Sequence, residues 1–173
     1  IEIAGVVVSE STRDILHNPG SLSGFDQVLE IRGADGRLTT TYVNGPRVIG
    51  QIASGGTATT LLTDGSGSTR AVIGEQSEVV ADYRFDAFGR VYGSDPASAV
   101  TQILYTGEAI NVLAQQYSLG PRIYDPTAGR FLQGDGFTGV GGEPVTLNRY
   151  LYANSDPVNL SDPSGFLARN VLG

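Results

Sequence analysis

The chain has 173 residues, enough for one domain with a packed core, and a net charge of −7. All eleven cations are arginines and they are scattered, so the concentrated positive charge that nucleic-acid binding needs is missing, and the absence of Lys removes Schiff-base chemistry. The absence of Cys excludes disulfides, thiolate metal sites and cysteine nucleophiles, and the absence of Met reads as a fragment or a processed chain.

No apolar run is long enough to span a bilayer, and the opening "IEIAGVVVSE" is too short and lacks the basic flank of a signal peptide. Residues 9–20, "SESTRDILHNPG", predict one or two helical turns capped by a Ser or Thr and stopped by Pro19-Gly20. The sole histidine, His17, then sits near a helix C-terminus, where the dipole favours it; metal binding or a Ser-His-Asp triad there is not the expectation. After this the pattern is all-β, short strands separated by turn signals. "FDQVLEIR" alternates, with Phe25, Gln27, Leu29 and Ile31 on one face. "ADGRLTTTYVNG" reads as a turn feeding a Thr-rich strand, and "RVIGQIA" and "TATTLLTDG" continue the series.

"DGSGS" at 64–68 has oxygens at Ca²⁺-loop spacing, but no closing Glu, and is read as a plain turn. "EVVADYRFD" alternates cleanly, with Val79, Ala81, Tyr83 and Phe85 on one face of a single strand. "GEAINVLAQQY" reads as a hairpin around Asn111, with a short helix as the alternative. "EPVTLNRYLYANSDP" predicts a short helix ending near Asn154, before Asp156-Pro157.

One unit recurs imperfectly. Residues 35–38 (DGRL), 86–91 (DAFGRV) and 125–131 (DPTAGRF) share the order Asp, Gly, Arg, apolar. The Asp hydrogen-bonds its own turn, the Gly takes positive φ, and the Arg-apolar pair starts the return strand. One such hairpin cannot bury its face, so the units must stack on neighbours.

These residues carry a resemblance. Residues 61–91, "LLTDGSGSTRAVIGEQSEVVADYRFDAFGRV", are similar to the end of a YD-repeat array. The stretch 105–165, from "YTGEAINVLAQQYSLGPRIYDPTAGRFLQGDGFTG" to "LNRYLYANSDPVNLSDPSG", resembles the RHS-repeat-associated core domain. The resemblance implies an all-β, YD-repeat antiparallel hairpin sheet, spiralling or forming part of a shell, with one or two short helices. Residues 1–60 would be degenerate YD-like repeat strands and 61–173 the associated core, together one continuous unit. It also implies a module, secreted or at the cell surface, that cuts its own chain once by aspartyl chemistry and encloses or displays a C-terminal cargo. The chain departs from the family pattern at Asp135-Gly136, where a Pro is expected, and in a longer linker around "GVGGEPVT".

The candidate catalytic residues are Asp135 and Asp162, with Arg122 as a third. Two carboxylates sharing a site do not both ionise easily, so one serves as acid and the other activates water. The competing reading is that both aspartates are turn formers. The resemblance carries over an Arg tied to cleavage at position 122, which would orient or charge-balance a carboxylate; a strand Arg pairing with a surface acid is the alternative. Gly173 lies eleven residues after Asp162, about where the family cuts.

No cofactor and no metal is expected. The expected partners are the remainder of a larger RHS polypeptide or its cleaved cargo, and other copies of the chain. The alternative function is a structural subunit of a fibre or matrix, built by strand pairing between copies.

Overall fold

A computed structural model of the chain describes residues 14–18, 27–33, 35–139, 142 and 144–171. The chain divides into two units, Ile1–Thr59 and Thr60–Gly173.

The first unit is an antiparallel meander of β1 (Asp14–Asn18), β2 (Gln27–Arg32), β3 (Leu38–Asn44) and β4 (Val48–Ala53), each paired with the next. Residues 14–18 are a strand, so the helical turn expected around His17 does not form: Ile15 and Leu16 pair with Ile31 and Glu30, and this cross-strand pairing overrides the capping signals. On β2 the register skips Leu29, because Leu16 faces Glu30 while His17 faces Val28. That bulge breaks strict alternation and lets both Val28 and Ile31 be buried. Phe25 lies outside the described residues. The first Asp-Gly-Arg unit makes the β2–β3 turn, where Asp35 Oδ1 accepts from Arg37 N at 3.0 Å and Gly36 has φ 75°.

The second unit begins within β5 (Ala58–Thr63) and continues with β6 (Thr69–Ile73) and β7 (Val79–Asp82), paired in order. The strand expected through residue 86 ends at Asp82. Tyr83 N still bonds Arg70 O, but β8 (Arg84–Phe85) pairs instead with β9 (Val91–Tyr92) around the second Asp-Gly-Arg turn. Tyr83 and Phe85 are buried, whereas Val79, expected on their face, is 65% exposed.

A second antiparallel sheet follows: β10 (Ala109–Asn111), β11 (Gln116–Leu119), β12 (Arg122–Asp125) and β13 (Arg130–Phe131). The β10–β11 hairpin turns where the sequence placed it, with Asn111 Oδ1 accepting from Leu113 N and Ala114 N. β14 (Leu160–Ser161) and β15 (Arg169–Asn170) close the unit as a short pair.

The short helix expected to end near Asn154 is reduced to two single 3₁₀ turns, Pro144–Leu147 and Ala153–Ser155. Between them the backbone is claimed by the sheet: Phe131 N bonds Tyr150 O, Asp135 N bonds Arg149 O, and Leu151 bridges Arg130. Carbonyls spent on β13 and its continuation cannot serve a helix.

The core of the second unit is aromatic. Tyr105, Tyr117, Tyr124, Phe131 and Tyr152 are buried and in ring contact, with Tyr124 and Tyr152 centroids 4.2 Å apart. Tyr105, Tyr117 and Tyr124 donate their hydroxyls to Ala87, Gly89 and Phe88 carbonyls, so tyrosines from a 3₁₀ turn and two strands grip one Asp-Gly-Arg turn. Gly89 has φ 89°, and a Cβ there would strike the Tyr105 ring. Burial raises these phenols, Tyr105 up to about 12 and Tyr117 and Tyr124 beyond, so they remain donors at any neutral pH.

Candidate functional site

Arg122 begins β12 and is buried at 5% exposure because its side chain points to the face that carries Tyr124. Residues i and i+2 of a strand share a face, so a charged residue at 122 enters the same interior as the tyrosine. The guanidinium lies over the Phe131 ring, with Cζ 3.5 Å from its centroid. Phe131 comes from β13, two positions after the Gly129 turn.

Asp135 follows β13 in a turn of its own: Oδ1 accepts from Phe137 N at 2.8 Å, and the backbone is held by Arg149 on both sides. Asp162 follows β14, and its Oδ1 accepts from Ser164 Oγ, Phe166 N and Leu167 N. Gly165, at φ 70°, is what lets that turn sit flush against the Leu119 carbonyl, where a side chain would clash.

Each aspartate therefore behaves as a turn residue with one oxygen. The other oxygen goes elsewhere. Arg122 Nη2 lies 3.2 Å from Asp135 Oδ2 and 3.2 Å from Asp162 Oδ2, so the two oxygens are at most twice that distance apart. Nη1 donates to Arg149 O at 3.2 Å. Nε is buried without a hydrogen-bond partner. Burial draws the Arg122 guanidinium down from its usual range, and the Asp135 and Asp162 carboxylates oppose that. All three side chains named from sequence are thus brought to one place, and each aspartate is a turn former through Oδ1 while its Oδ2 faces Arg122.

The other signals resolve otherwise. In the "DGSGS" loop Asp64 Oδ1 accepts from Ser66 N, Ser66 Oγ and Ser68 N while Oδ2 pairs with Arg70 Nε at 2.7 Å, so its oxygens are turned inward. Burial alone would raise the Asp64 carboxyl, but hydrogen bonds from Ser66, Arg70 and Ser68 hold it below the usual value. Among the described residues no cluster of three or more His, Cys, Asp or Glu is arranged to hold a metal, and no helix is long and apolar enough to cross a membrane.

One residue of the site was not anticipated. Glu108, beside the Tyr105–Gly107 turn, is enclosed by protein although part of its surface stays accessible. Its carboxyl is raised to about 8, first by burial and then by the Asp162 charge.

Residues 35–158 match the Teneurin YD-shell family. The chain belongs to that family. Among its YD-shell relatives, Salivary gland surface protein 1 of Aedes aegypti is 34% identical over 136 residues, 77% of this chain and 4% of that protein. The tRNA3(Ser)-specific nuclease WapA of Bacillus spizizenii is 29% identical over 143 residues, 80% of this chain and 6% of that protein. Teneurin-3 of Danio rerio is 26% identical over 101 residues, 57% of this chain and 4% of that protein.

In fold the chain is similar to the Photorhabdus luminescens Tc holotoxin pore, at TM-score 0.62 and 16% identity, over 93% of this chain and 8% of that one. A TcdB2-TccC3-Cdc42 structure aligns at TM-score 0.61 and 16% identity, over 92% of this chain and 8% of that one. The chain therefore spans less than a tenth of each of these proteins. It is an all-β, RHS-type YD-shell module.

Proposed function

We propose that residues 61–173 form the self-processing core of this YD-shell module, and that Asp135, Arg122 and Asp162 cut the chain's own peptide backbone once. The observation that carries the reading is the single Arg122 Nη2 atom 3.2 Å from one oxygen of each aspartate. A buried cation holding two carboxylates is a costly arrangement that a pure scaffold has no need of, since apolar residues of similar volume pack as well or better.

The roles follow from what each atom already does. The Asp135 side chain is the more exposed of the two, at 11% against 4%, and its carboxylate accepts one backbone N–H, so it takes the proton from water. Asp162, fixed by three donors on Oδ1, hands a proton to the leaving nitrogen. Arg122 Nε–H, buried and unspent, supports the negative charge that develops on the carbonyl oxygen.

The substrate is tethered. After Asp162 the chain doubles back, with Arg169 opposite Ser161 and Val171 N bonded to Asn159 O, which keeps the downstream segment beside the centre. Tethering supplies a large effective molarity, so one slow cut suffices. The cargo class, a C-terminal effector retained by the rest of a longer polypeptide, is supported by the nuclease names of the WapA relatives and by the chain's small share of their length. Secretion or surface display is supported by the name of the Aedes aegypti surface protein.

The test is kinetic. Full-length polypeptide carrying sequence beyond Gly173, refolded from denaturant, is expected to cut itself in a first-order process unchanged by a hundredfold dilution, and Asp135→Asn to stop it. A rate that falls with dilution, or an Asp135→Asn chain cut at the normal rate, overturns the reading.

A second reading rests on β7, which exposes Val79 at 65% and Val80 at 43%. An edge with exposed branched aliphatics is a template for pairing between copies, which would make the module a structural subunit. Size-exclusion chromatography at high concentration separates the two: a monomer leaves only the processing module.

A further inference from the structure

Glu108 lies in line with the Arg122 centre. In the β10–β11–β12 ladder Ala109 faces Ser118, Ile110 faces Tyr117, and Tyr117 faces Tyr124. Leu119 faces Arg122. One further step along the first pairing sets Glu108 across from Leu119, and Glu108 continues the strand with φ −92° and ψ 152°. Side chains two apart share a face, so Glu108, Leu119 and Arg122 form one row beside the buried row of Ile110, Tyr117 and Tyr124. The Asp162 turn covers that row, since Gly165 rests on the Leu119 carbonyl and the Ser164 carbonyl rests on Gly120.

The groups that face Glu108 are few. Asp162 acts on it from the β14 turn and it acts in turn on Tyr152. Tyr105 precedes it on its own stretch, and its N–H bonds the Tyr105 carbonyl. Asp162 is tied through Arg122 to Asp135. The Tyr152 hydroxyl is fully buried and interacts with the Tyr105 hydroxyl. Among the described residues the Glu108 carboxyl makes no hydrogen bond or ion pair. A carboxyl so placed stays neutral up to about pH 8, by burial first and by the Asp162 charge second.

The centre needs such a group. All four oxygens of the pair face donors, each Oδ2 the shared Arg122 nitrogen and each Oδ1 backbone or hydroxyl groups, so the acid that aspartyl chemistry requires is sought in a neighbouring group. We propose that Glu108 is a positioning residue of the cut, storing the proton that the Arg122-bridged pair lacks and delivering it through Asp162. This rests on the self-cutting reading of the same site. The step balances: Asp135 takes a proton from water, and the hydroxide oxygen bonds to the peptide carbon. Glu108 passes its proton to Asp162, and as the C–N bond breaks its nitrogen takes that proton from Asp162. Glu108 is then refilled, through solvent, by the proton on Asp135. One water is added across one peptide bond.

The experiment follows self-cutting of the refolded full-length polypeptide from acid to alkaline pH in the wild type, Glu108→Gln and Glu108→Asp. A ¹³C NMR titration of the Glu108 carboxyl in the wild type and in Asp162→Asn accompanies it. The wild-type rate is expected to fall above about pH 8. Glu108→Gln, which keeps the shape of a neutral acid, is expected to fold, to cut about a hundredfold more slowly and to lose that alkaline limb, while Glu108→Asp restores part of the rate. In Asp162→Asn the Glu108 midpoint moves down. A Glu108→Gln chain that cuts at the wild-type rate with the same limb overturns the proposal, and so does a Glu108 midpoint indifferent to Asp162→Asn. A wild type that is never cut overturns the protease reading and this one with it, and is told apart from failure of Glu108 alone, in which wild type and Glu108→Gln are both cut equally well.

Discussion

Three tyrosine hydroxyls close off the carbonyls of the Asp86–Arg90 turn, whereas at Arg122 one cation serves two carboxylates and keeps an N–H unspent. Both are polar structures in the second unit, a few residues from the same aromatic core. The turn is complete in itself: its carbonyls have donors, and Asp86 Oδ1 accepts from Phe88 N and Arg90 N. The Arg122 centre is balanced in charge by neighbours and left open in hydrogen bonding. Satisfied polar groups hold a fold together, and an unsatisfied buried donor beside paired charges is what a reacting group would fill.

The contrast breaks most sharply at Arg122. Arg122→Met leaves two buried carboxylates without their cation and is expected to cost about 3–5 kcal/mol, read as a drop in the urea midpoint; an unchanged midpoint would mean the ion pairs are ornamental. The scaffold side gives a smaller effect. Tyr124→Phe strips the donor from the Phe88 carbonyl and is expected to cost about 1–3 kcal/mol by the same measurement.

Glu108 sharpens the comparison through pH. Its folded carboxyl titrates at about 8 and its ordinary value is 4.5, so the folded state binds the proton more tightly than the unfolded chain. Stability from this group is therefore full below pH 4.5 and is lost as pH rises toward 8. Denaturant midpoints measured across that window should fall in the wild type and fall less in Glu108→Gln. Equal slopes would place Glu108 in solvent. The smallest effect belongs to β7: Val79→Thr at a 65% exposed edge should shift stability by no more than about 0.5 kcal/mol and reduce any self-association seen by light scattering.

Much of this was legible beforehand. The repeated Asp-Gly-Arg unit marks turns because its physics is local: an Asp that bonds its own backbone and a Gly at positive φ need no distant partner. Asp135, Asp162 and Arg122 were found through a motif string. The errors arise where tertiary pairing outbids local preference. Residues 14–18 carry helix-capping signals and became a strand because β2 offers them a ladder. The strand through Tyr83 broke because Phe85 is needed against Tyr105 while Asp82 stays with β6.

Glu108 was missed because an acid after Thr-Gly resembles any surface turn residue. The Asp162 charge that acts on it comes from more than fifty residues downstream. The signal was nonetheless present: extending the "GEAIN"/"QYSLG" hairpin by one pair sets Glu108 in the row that ends at Arg122.

The most direct measurement is the intact mass of the full-length polypeptide, purified as wild type and as Asp162→Asn. Two fragments from the wild type, whose masses sum to the chain plus one water, and a single uncut species from Asp162→Asn are the predicted result. Identical fragments from both proteins would contradict the assignment of the cut to the centre at Arg122.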